Sequence, residues 1–469
     1  MKKIIMKFGG TSVGTGKNIH QVADIVTQYS KEYQIVVVVS ALAGITNKLL
    51  EIAGQAKKGD EKLVKNFTEE LLEKHKEAVT SAISNESLQI KVNQIIDEII
   101  VELRKILTGI CYVGELTPKS KDYVVSFGER LSAPIVWGAI QDHGLETQCF
   151  TGKDVGIVTD SNFGEANPLM NFTIHLVRKR LELLLEKNVI PVVTGFIAAN
   201  QDGVVTTVGR GGSDYTATIL GVALDADEVW IWTDVDGILT TDPKIVPTAK
   251  LLSHLSYQEA AEMAIFGAKA MHPRALGPVS KENIPVIIRN TFYPEKIGTL
   301  ITKDPVANTE KIVKAVAMIK DVAMLNVNGV TMVGAPGSYA KVFEVLGRNN
   351  INAMMVSVAV SEANISIIIK RDMLSRAISN LEIALLEKGG LISEVTAEDD
   401  VAVIAVMGAY MKGSLGLASK IFATVAKKGI NIRMIAQGSS ELNISFVVKE
   451  KDGVEVVKAI HEEFNLSNA

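Results

Sequence analysis

Two hydrophobic patterns alternate over the first ~300 residues of the chain. Short β-branched runs at 2–8, 34–40, 189–195 ("VIPVVTG"), 203–208, 228–233 ("EVWIWT") and 285–290 ("PVIIRN") are apolar on both faces. That is the pattern of parallel strands covered by helices on both sides. Between them, 60–79 and 90–107 repeat at helical spacing, and Val92, Ile95, Ile96, Ile99, Leu103 and Leu107 form one stripe. Thr117-Pro118 and Asn167-Pro168 read as N-cap and first-turn pairs, and "SYQE" (256–259) has the spacing of a capping box. The alternation predicts an α/β protein, a three-layer α/β/α sandwich around a mainly parallel sheet.

The pattern changes at "TKDPVANTEK" (303–312), a polar stretch that suits a linker, and beyond it the chain repeats itself. The segment starting at Val322 aligns without a gap on the one starting at Val401, an offset of 79 residues. Gly329/Gly408, Met332/Met411, Gly334/Gly413, Gly337/Gly416, Lys341/Lys420 and Asn364-Ile365-Ser366/Asn443-Ile444-Ser445 coincide. Two copies are too few for a solenoid, so paired small domains are expected, each running strand, glycine turn, helix, strand, strand, helix, strand. The expected divisions are 1–303, 313–392 and 399–469.

Bulk composition narrows the function. The chain has 469 residues, 47% of them apolar and 22% charged. A net charge of −4 with pI near 6.1 gives no electrostatic reason to expect nucleic acid or an anionic membrane as partner. No apolar run approaches the ~20 residues that span a bilayer, and the basic start "MKKIIMKFGG" is too short in its apolar part for a secretory signal. Two cysteines, Cys111 and Cys149, cannot build a disulfide framework and read as small buried hydrophobes. A cytoplasmic protein is expected.

Candidate chemistry begins at "MKFGGTSVGTGK" (6–17). It is not a P-loop, because Thr11 stands where the first glycine belongs and Asn18 follows Lys17. It is not a dinucleotide fingerprint either, since Ile19 replaces the third glycine. Instead Lys7 precedes the glycines and sits on the strand, which lifts an ammonium to the carboxyl edge of the sheet. Gly9 and Gly10 let backbone N–H groups approach an anion there. Read alone, Lys7 could equally be a solvated lysine beside a tight turn. "TTVGRGGSDYTA" (206–217) is a second strand, glycine turn and helix start. Arg210 offers a fork to a carboxylate, and Gly211, Gly212 and Ser213 offer backbone donors. Asp214 could do no more than favour the helix dipole. Two anion cradles suit a reaction between a phosphate donor and an anionic acceptor. The aspartates of "WTDVDGILTTDPK" (232–244) lack the ligand series of a calcium loop. "SFGER" (126–130) by itself suggests a surface ion pair, and in "FGAKAMHP" (266–273) Lys269 suits a helix end while His272 reads as structural.

Together these stretches resemble the aspartate kinases (aspartokinases), of the amino-acid kinase fold. "KFGGTSV" stands at 7–13, "SALAGITN" at 40–47, "SFGER" at 126–130, "GRGGSD" at 209–214, "WTDVDGILTTDP" at 232–243 and "FGAKAMHP" at 266–273. The resemblance makes 1–303 a catalytic domain and the repeats two ferredoxin-like ACT domains. A monofunctional member, without a homoserine dehydrogenase half, is expected. It implies ATP-dependent phosphorylation of the L-aspartate β-carboxylate to 4-phospho-L-aspartate, the first step toward lysine, threonine and methionine. By the same resemblance Lys7 and Lys269 neutralise the ATP phosphates, with Mg2+ bridging phosphate oxygens, and Asp214 orients Lys7 and the glycine backbones. Arg210, with Thr46, grips an aspartate carboxylate, and Glu129 takes the α-ammonium. Thr233, Asp234 and Lys244 face the nucleotide. Leu239 and Lys244 depart from the tyrosine and arginine of many members.

The paired repeats imply feedback by an amino acid and a homo-oligomer, a dimer or tetramer, assembled through them. "SVAVSEANIS" in the first copy replaces "AQGSSELNIS" in the second, so the two effector pockets are not equivalent. Lysine-sensing relatives place an aspartate where Met354 stands, and a buried ammonium without a carboxylate is costly. Threonine is therefore expected over lysine, with Met332, Gly334, Gly337, Asn352, Gln437 and Asn443 as candidate contacts. The alternatives are another kinase of the fold, a catalytically dead amino-acid sensor, or a hydride-transfer enzyme. The last lacks its fingerprint, and a dead kinase is expected to have lost Lys7, Arg210 or Asp214.

Overall fold

The apolar runs become strands close to where their pattern places them. A computed structural model describes residues 1–267, 271–304, 312–329, 336–358, 364–387 and 390–468. Its first eleven strands are Lys2–Phe8 (β1), Tyr33–Val39 (β2), Thr147–Phe150 (β3), Val158–Thr159 (β4), Ile190–Thr194 (β5), Ile197–Asn200 (β6), Val205–Thr207 (β7), Glu228–Thr233 (β8), His254–Ser256 (β9), Val286–Asn290 (β10) and Thr299–Thr302 (β11). Eight of them form one sheet in the order β3-β5-β2-β1-β8-β10-β11-β9, parallel throughout except where β10 meets β11. The other three make a small sheet, β4-β6-β7. The run expected at 203–208 shortens to β7, and its antiparallel partner β6 carries no pattern that marks it in advance. Ile4, Ile5, Met6 and Phe8 of β1 are all fully buried, as a strand covered on both faces requires.

The helices are Gly16–Tyr29 (α1), Ile45–Ala56 (α2), Glu61–Ala82 (α3), Glu86–Val113 (α4), Pro118–Asp142 (α5), Gly152–Val155 (α6), Met170–Glu186 (α7), Gly212–Ala223 (α8), Tyr257–Ile265 (α9) and Pro273–Glu282 (α10). Side-chain caps start several of them: Thr15, Asp60, Asn85 and Thr117 each accept a first-turn N–H, and Pro118 fills the first position of α5. The α4 stripe packs inward as expected, with Val92, Ile96, Leu103 and Leu107 buried. None of the described helices is long and apolar enough to cross a membrane.

Two expectations fail. Asn167-Pro168 does not start a helix: α7 begins at Met170 with Leu169 at its cap. Pro168 instead forms an antiparallel bridge with Thr159, and the Asn167 amide donates to Asp160. The Asn167 side-chain oxygen that a cap would use accepts from Arg274 instead. Cys111 is buried; Cys149, on the edge strand β3, is exposed as a residue although burial pushes its thiol pKa up to about 12.

The chain divides into two compact units. One contains Met1–Ile238, Ser253–Tyr257 and the described residues of 269–305; the other contains Leu239–Leu252, most of 258–268 and the described residues beyond 306. In the second unit Ala315–Asn328 (β12), Met355–Val358 (β13), Asn364–Lys370 (β14), Glu394–Met407 (β15), Met434–Ala436 (β16) and Asn443–Lys449 (β17) form one sheet in the order β13-β14-β12-β15-β17-β16. Ser338–Arg348 (α11), Leu374–Leu381 (α12), Leu417–Lys427 (α13) and Glu450–Glu463 (α14) supply its helices. The two repeats interlock through their long strands. The second half of β12 pairs with β14 and with the start of β15, Asn328 opposite Glu394. The first half of β12 pairs with the end of β15, Ala315 opposite Met407, beside β17. Each repeat therefore borrows its fourth strand from the other's first, and the register shifts near Val322 mark the crossover.

Two segments from the first 303 residues join this second unit. The Thr240 hydroxyl lies 2.9 Å from His461 Nε2, and Ile245 and Val246 pack on the core of the second repeat. Helix α9 contributes Glu259, 1% exposed, which pairs with Lys314, 6% exposed, at 2.9 Å and accepts the Ala409 N–H. Removing one partner of such a pair strands the other charge. Glu259→Ala should therefore cost this unit about 3–5 kcal/mol in thermal unfolding, and adding Lys314→Met should recover most of the loss. Equal stability of the single and double variants would contradict this role for the pair.

Candidate active site

Lys7 is the penultimate residue of β1, the strand between β2 and β8 near the middle of the main sheet, in register with Val38 and Ile231. Its ammonium lies 2.5 Å from Asp214 Oδ1, and the two side chains are 10% and 11% exposed. The glycine turn follows at once. Gly9 N–H donates to Trp232 C=O, and a Cβ on Gly10 would come to 3.0 Å from the Ala41 carbonyl oxygen, so a larger residue would press the turn away from the loop after β2. Asp214 sits in the first turn of α8, where the cap position is Gly211 at φ 70° with no capping side chain. The first-turn N–H groups of Gly212, Ser213 and Asp214 thus retain capacity for an anion. His272 caps α10, accepting the Arg274 N–H, and burial pulls its pKa below the usual imidazole value. It is a structural residue, as its sequence context suggests.

These elements bound a cavity of ≈ 520 Å³. Lys7, Gly10, Thr46, Glu129, Arg210, Gly211, Gly212, Ser213 and Asp214 all line it. The residues expected to bind the acceptor and those expected to meet the transferring phosphate thus share one space. Arg210 is exposed at the cavity surface, and Thr46 lies in the first turn of α2.

Glu129 and Arg130 do not pair with each other. Arg130 turns to Glu102 and lies over the Phe127 ring, while Glu129 faces the cavity. Gly128 makes this approach possible: a Cβ there would lie 2.8 Å from that of Ala41. The Ser132 hydroxyl donates to Ser40 C=O at 2.7 Å and holds α5 against the same loop. Glu129 is buried and accepts the Ala41 N–H, yet its Oε2 has no partner among the described residues. Burial pushes its pKa up to about 8. A buried carboxyl without a cation is suited to receive one.

Sequence reasoning missed Asp122. It is 1% exposed, lines the cavity, and accepts the Thr207 N–H and hydroxyl and the Gly164 N–H at 2.8–3.0 Å. It thereby ties the strand before the Arg210 turn to α5. Its position two helical turns before Glu129, on the same face, was the available signal. Phe196, at φ 65°, lines the cavity from the β5–β6 turn and was missed too.

Thr233 and Asp234 end β8 at the same sheet edge as Lys7, hydrogen-bonded to each other, but do not line the cavity. The neighbouring aspartates are spent locally: Asp236 on Asn290 and Lys296, Asp242 on the Lys244 N–H. Lys244 is exposed and belongs to the second unit. Lys269, Met332 and Gly334 lie outside the described residues. Of the remaining regulatory candidates, Gly337 caps α11, Asn352 and Gln437 are exposed, and the Asn443 amide donates to Glu262 of α9.

The model of the amino acid kinase family matches residues 2–290, and the ACT domain model matches 325–385 and 404–464. Aspartokinase 1 of Arabidopsis thaliana (chloroplastic) is 35% identical over 465 residues, which cover 98% of this chain and 80% of that protein. The chain belongs to the amino acid kinase family, among the aspartokinases. The bifunctional aspartokinase/homoserine dehydrogenase 1 of Zea mays (chloroplastic) is also 35% identical, over 99% of this chain and 50% of its own length. The chain thus spans about half the length of the bifunctional relatives it matches. Among solved structures, E. coli aspartokinase III in complex with aspartate and ADP (R-state) aligns at TM-score 0.80 and 29% identity, covering 98% of this chain and 99% of that one. The same enzyme with lysine and aspartate (T-state) aligns at TM-score 0.82 and 29% identity, over 99% and 100%. The three-layer kinase fold and the tandem ACT repeats are those of this family.

The state of Glu129 generates a test. With its pKa raised to about 8, the carboxyl is protonated at neutral pH, and a ligand ammonium must displace that proton to pair with it. Apparent affinity should rise with pH up to about 8, by as much as tenfold per unit, and then level off. Calorimetry with aspartate as probe, run at pH 7 in buffers of different ionisation enthalpy, should show close to one proton released. Glu129→Gln should abolish that release. Proton uptake, or release unchanged in the variant, contradicts this assignment.

Proposed function

We propose that the chain is an aspartate kinase, transferring the γ-phosphoryl group of ATP to the β-carboxylate of L-aspartate. The observation that carries this is the single cavity holding Lys7, Asp214, Arg210 and a buried, unpaired Glu129. In this reading Arg210 and Thr46 hold the α-carboxylate and Glu129 the α-ammonium. A β-carboxylate oxygen attacks the γ-phosphorus as its bond to the β-phosphate oxygen breaks, and ADP leaves. Lys7, kept in place by Asp214, and the open N-terminus of α8 face the charge that develops on the transferring group. Lys269 is assigned to the phosphates on family resemblance alone, as are Thr233, Asp234 and Lys244 to the nucleotide. Asp122 is committed to Thr207 and Gly164, and Asp214 to Lys7. Mg2+ is accordingly assigned to the phosphate oxygens of the nucleotide, where it neutralises charge, and no protein residue is given to it.

Hydroxylamine trapping of the acyl phosphate as the hydroxamate, with ATP and L-aspartate, tests the reaction. Turnover is expected with aspartate, and robust turnover of another amino acid or acid with none on aspartate contradicts it. Lys7→Ala and Asp214→Ala should lower kcat by about 10²–10³, the ~3–4 kcal/mol lost with one preorganised charge partner. Arg210→Ala should instead raise KM for aspartate. Equal small effects at all three would leave the Lys7–Asp214 pair a purely structural one and contradict the catalytic role.

The second unit is the proposed seat of feedback, with threonine preferred to lysine. Met354 lines a ≈ 580 Å³ cavity whose other charged groups are Lys320, Lys370 and Arg371 against Asp321 and Asp372. Arg371 is paired with Glu450, so the lining offers no surplus carboxylate to an ammonium-bearing side chain. Titration of activity should give half-inhibition at lower threonine than lysine, and the reverse order contradicts the preference. A cytoplasmic homo-oligomer assembled through residues 313–469 completes the proposal, and sedimentation of the full chain as a monomer would rule that assembly out.

A further inference from the structure

Away from the cavity, three side chains converge on the helical layer of the first unit. His20 and Asp24 stand one turn apart on α1, and His143 follows the last residue of α5. One ligand-capable atom from each lies within 4.8 Å of the others. His143 Nε2 is 3.0 Å from Asp24 Oδ1, and the two imidazole rings are centred 4.8 Å apart at 56°. Two ligand atoms bound at right angles to one ion, each about 2.1 Å from it, are themselves about 3 Å apart. The His143–Asp24 spacing has that value.

Hydrogen bonding decides what His143 can offer. Its Nδ1 lies 2.8 Å from the Ala139 carbonyl oxygen, which only an N–H can meet. In the neutral ring Nε2 then carries a lone pair, and it faces a carboxylate oxygen, acceptor against acceptor. A positive charge has to lie between them, either a second proton or a cation. His20 distinguishes the two. Its Nδ1 is directed at the Ala82 carbonyl oxygen at 3.5 Å, which leaves its Nε2 as a further donor that an ion pair does not use. An imidazole held through one nitrogen by a backbone carbonyl, with the other nitrogen open, is the usual arrangement around a bound metal.

We propose that His20, Asp24 and His143 form a solvent-open, three-ligand site for a divalent transition-metal ion of the Co2+, Ni2+ or Zn2+ type. Two imidazoles and one carboxylate favour these ions over Mg2+ and Ca2+, which prefer oxygen ligands throughout. None of the three residues lines the catalytic cavity. The ion would clip α1, which follows the glycine turn after Lys7, to the C-terminal end of α5, the helix bearing Asp122 and Glu129.

The test uses the untagged full chain, stripped with chelator and titrated with Co2+ alone in buffer containing excess Mg2+. Visible absorption of the ion and Tm are followed together. Saturable one-to-one binding with a rise in Tm is expected. His20→Gln and His143→Gln should each weaken it about tenfold or more, without loss of fold by circular dichroism. His20→Gln is the deciding variant, because His20 takes no part in the His143–Asp24 contact. Absence of saturable binding, or binding and Tm shift unchanged in His20→Gln, would leave an ordinary histidine–carboxylate ion pair and overturn the site.

Discussion

An ammonium and a carboxylate, both nearly buried at the end of the central strand, set the geometry of the kinase unit. Removing Lys7 and Asp214 from water costs several kcal/mol per ion, and their mutual attraction offsets this only while they stay in contact. That requirement pins the carboxyl end of β1 to the first turn of α8. The glycine turn after Lys7, the open start of α8 and the loop after β2 are then brought against one space. The pair also has a use beyond stability. It keeps a lysine aimed before any ligand arrives, so little reorganisation remains for the chemical step.

The carboxyl groups of the cavity differ because their surroundings differ. Asp214 has a lysine, and Asp122 has two backbone N–H groups and a hydroxyl. Glu129 has one backbone N–H from Ala41 and no cation, and burial holds it protonated well above the carboxylate range. The first two are held by these partners, which in the proposed reading leaves Glu129 to receive an incoming ammonium. Arg210, exposed at the surface of the same cavity, supplies the opposite charge. In the proposed reading, an α-amino acid bearing a second carboxylate would satisfy both and present an acceptor toward Lys7.

Much of this was legible in the sequence. Lys7 with its glycines, Arg210 and Asp214 announce themselves because strand, turn and helix start lie within a few residues of one another. Glu129 was marked only by family resemblance, since nothing local tells a buried glutamate from the surface partner of Arg130. Asp122 was missed because its role is to hold Thr207 and Gly164, distant in the chain, and its one local sign is the helical face it shares with Glu129. The repeats were plain as an offset, but their interlocking was not. Pairing of β12 with β15 depends on strands long enough to serve both repeats in one sheet, and the polar Glu394–Glu398 stretch gives no hydrophobic sign of it. Asn167-Pro168 misled for a similar reason, as the Asn167 oxygen that a cap would use is taken by Arg274, distant in the chain.

The central claim is that one cavity presents the acceptor to the phosphate-binding edge through Arg210, Glu129 and Lys7. The most direct measurement is a crystal structure of the chain with L-aspartate and ADP. The account predicts the α-carboxylate on the Arg210 guanidinium, the ammonium within hydrogen-bond distance of Glu129, and the β-carboxylate directed toward Lys7. Aspartate bound elsewhere, or in this cavity with its ammonium away from Glu129, would contradict it.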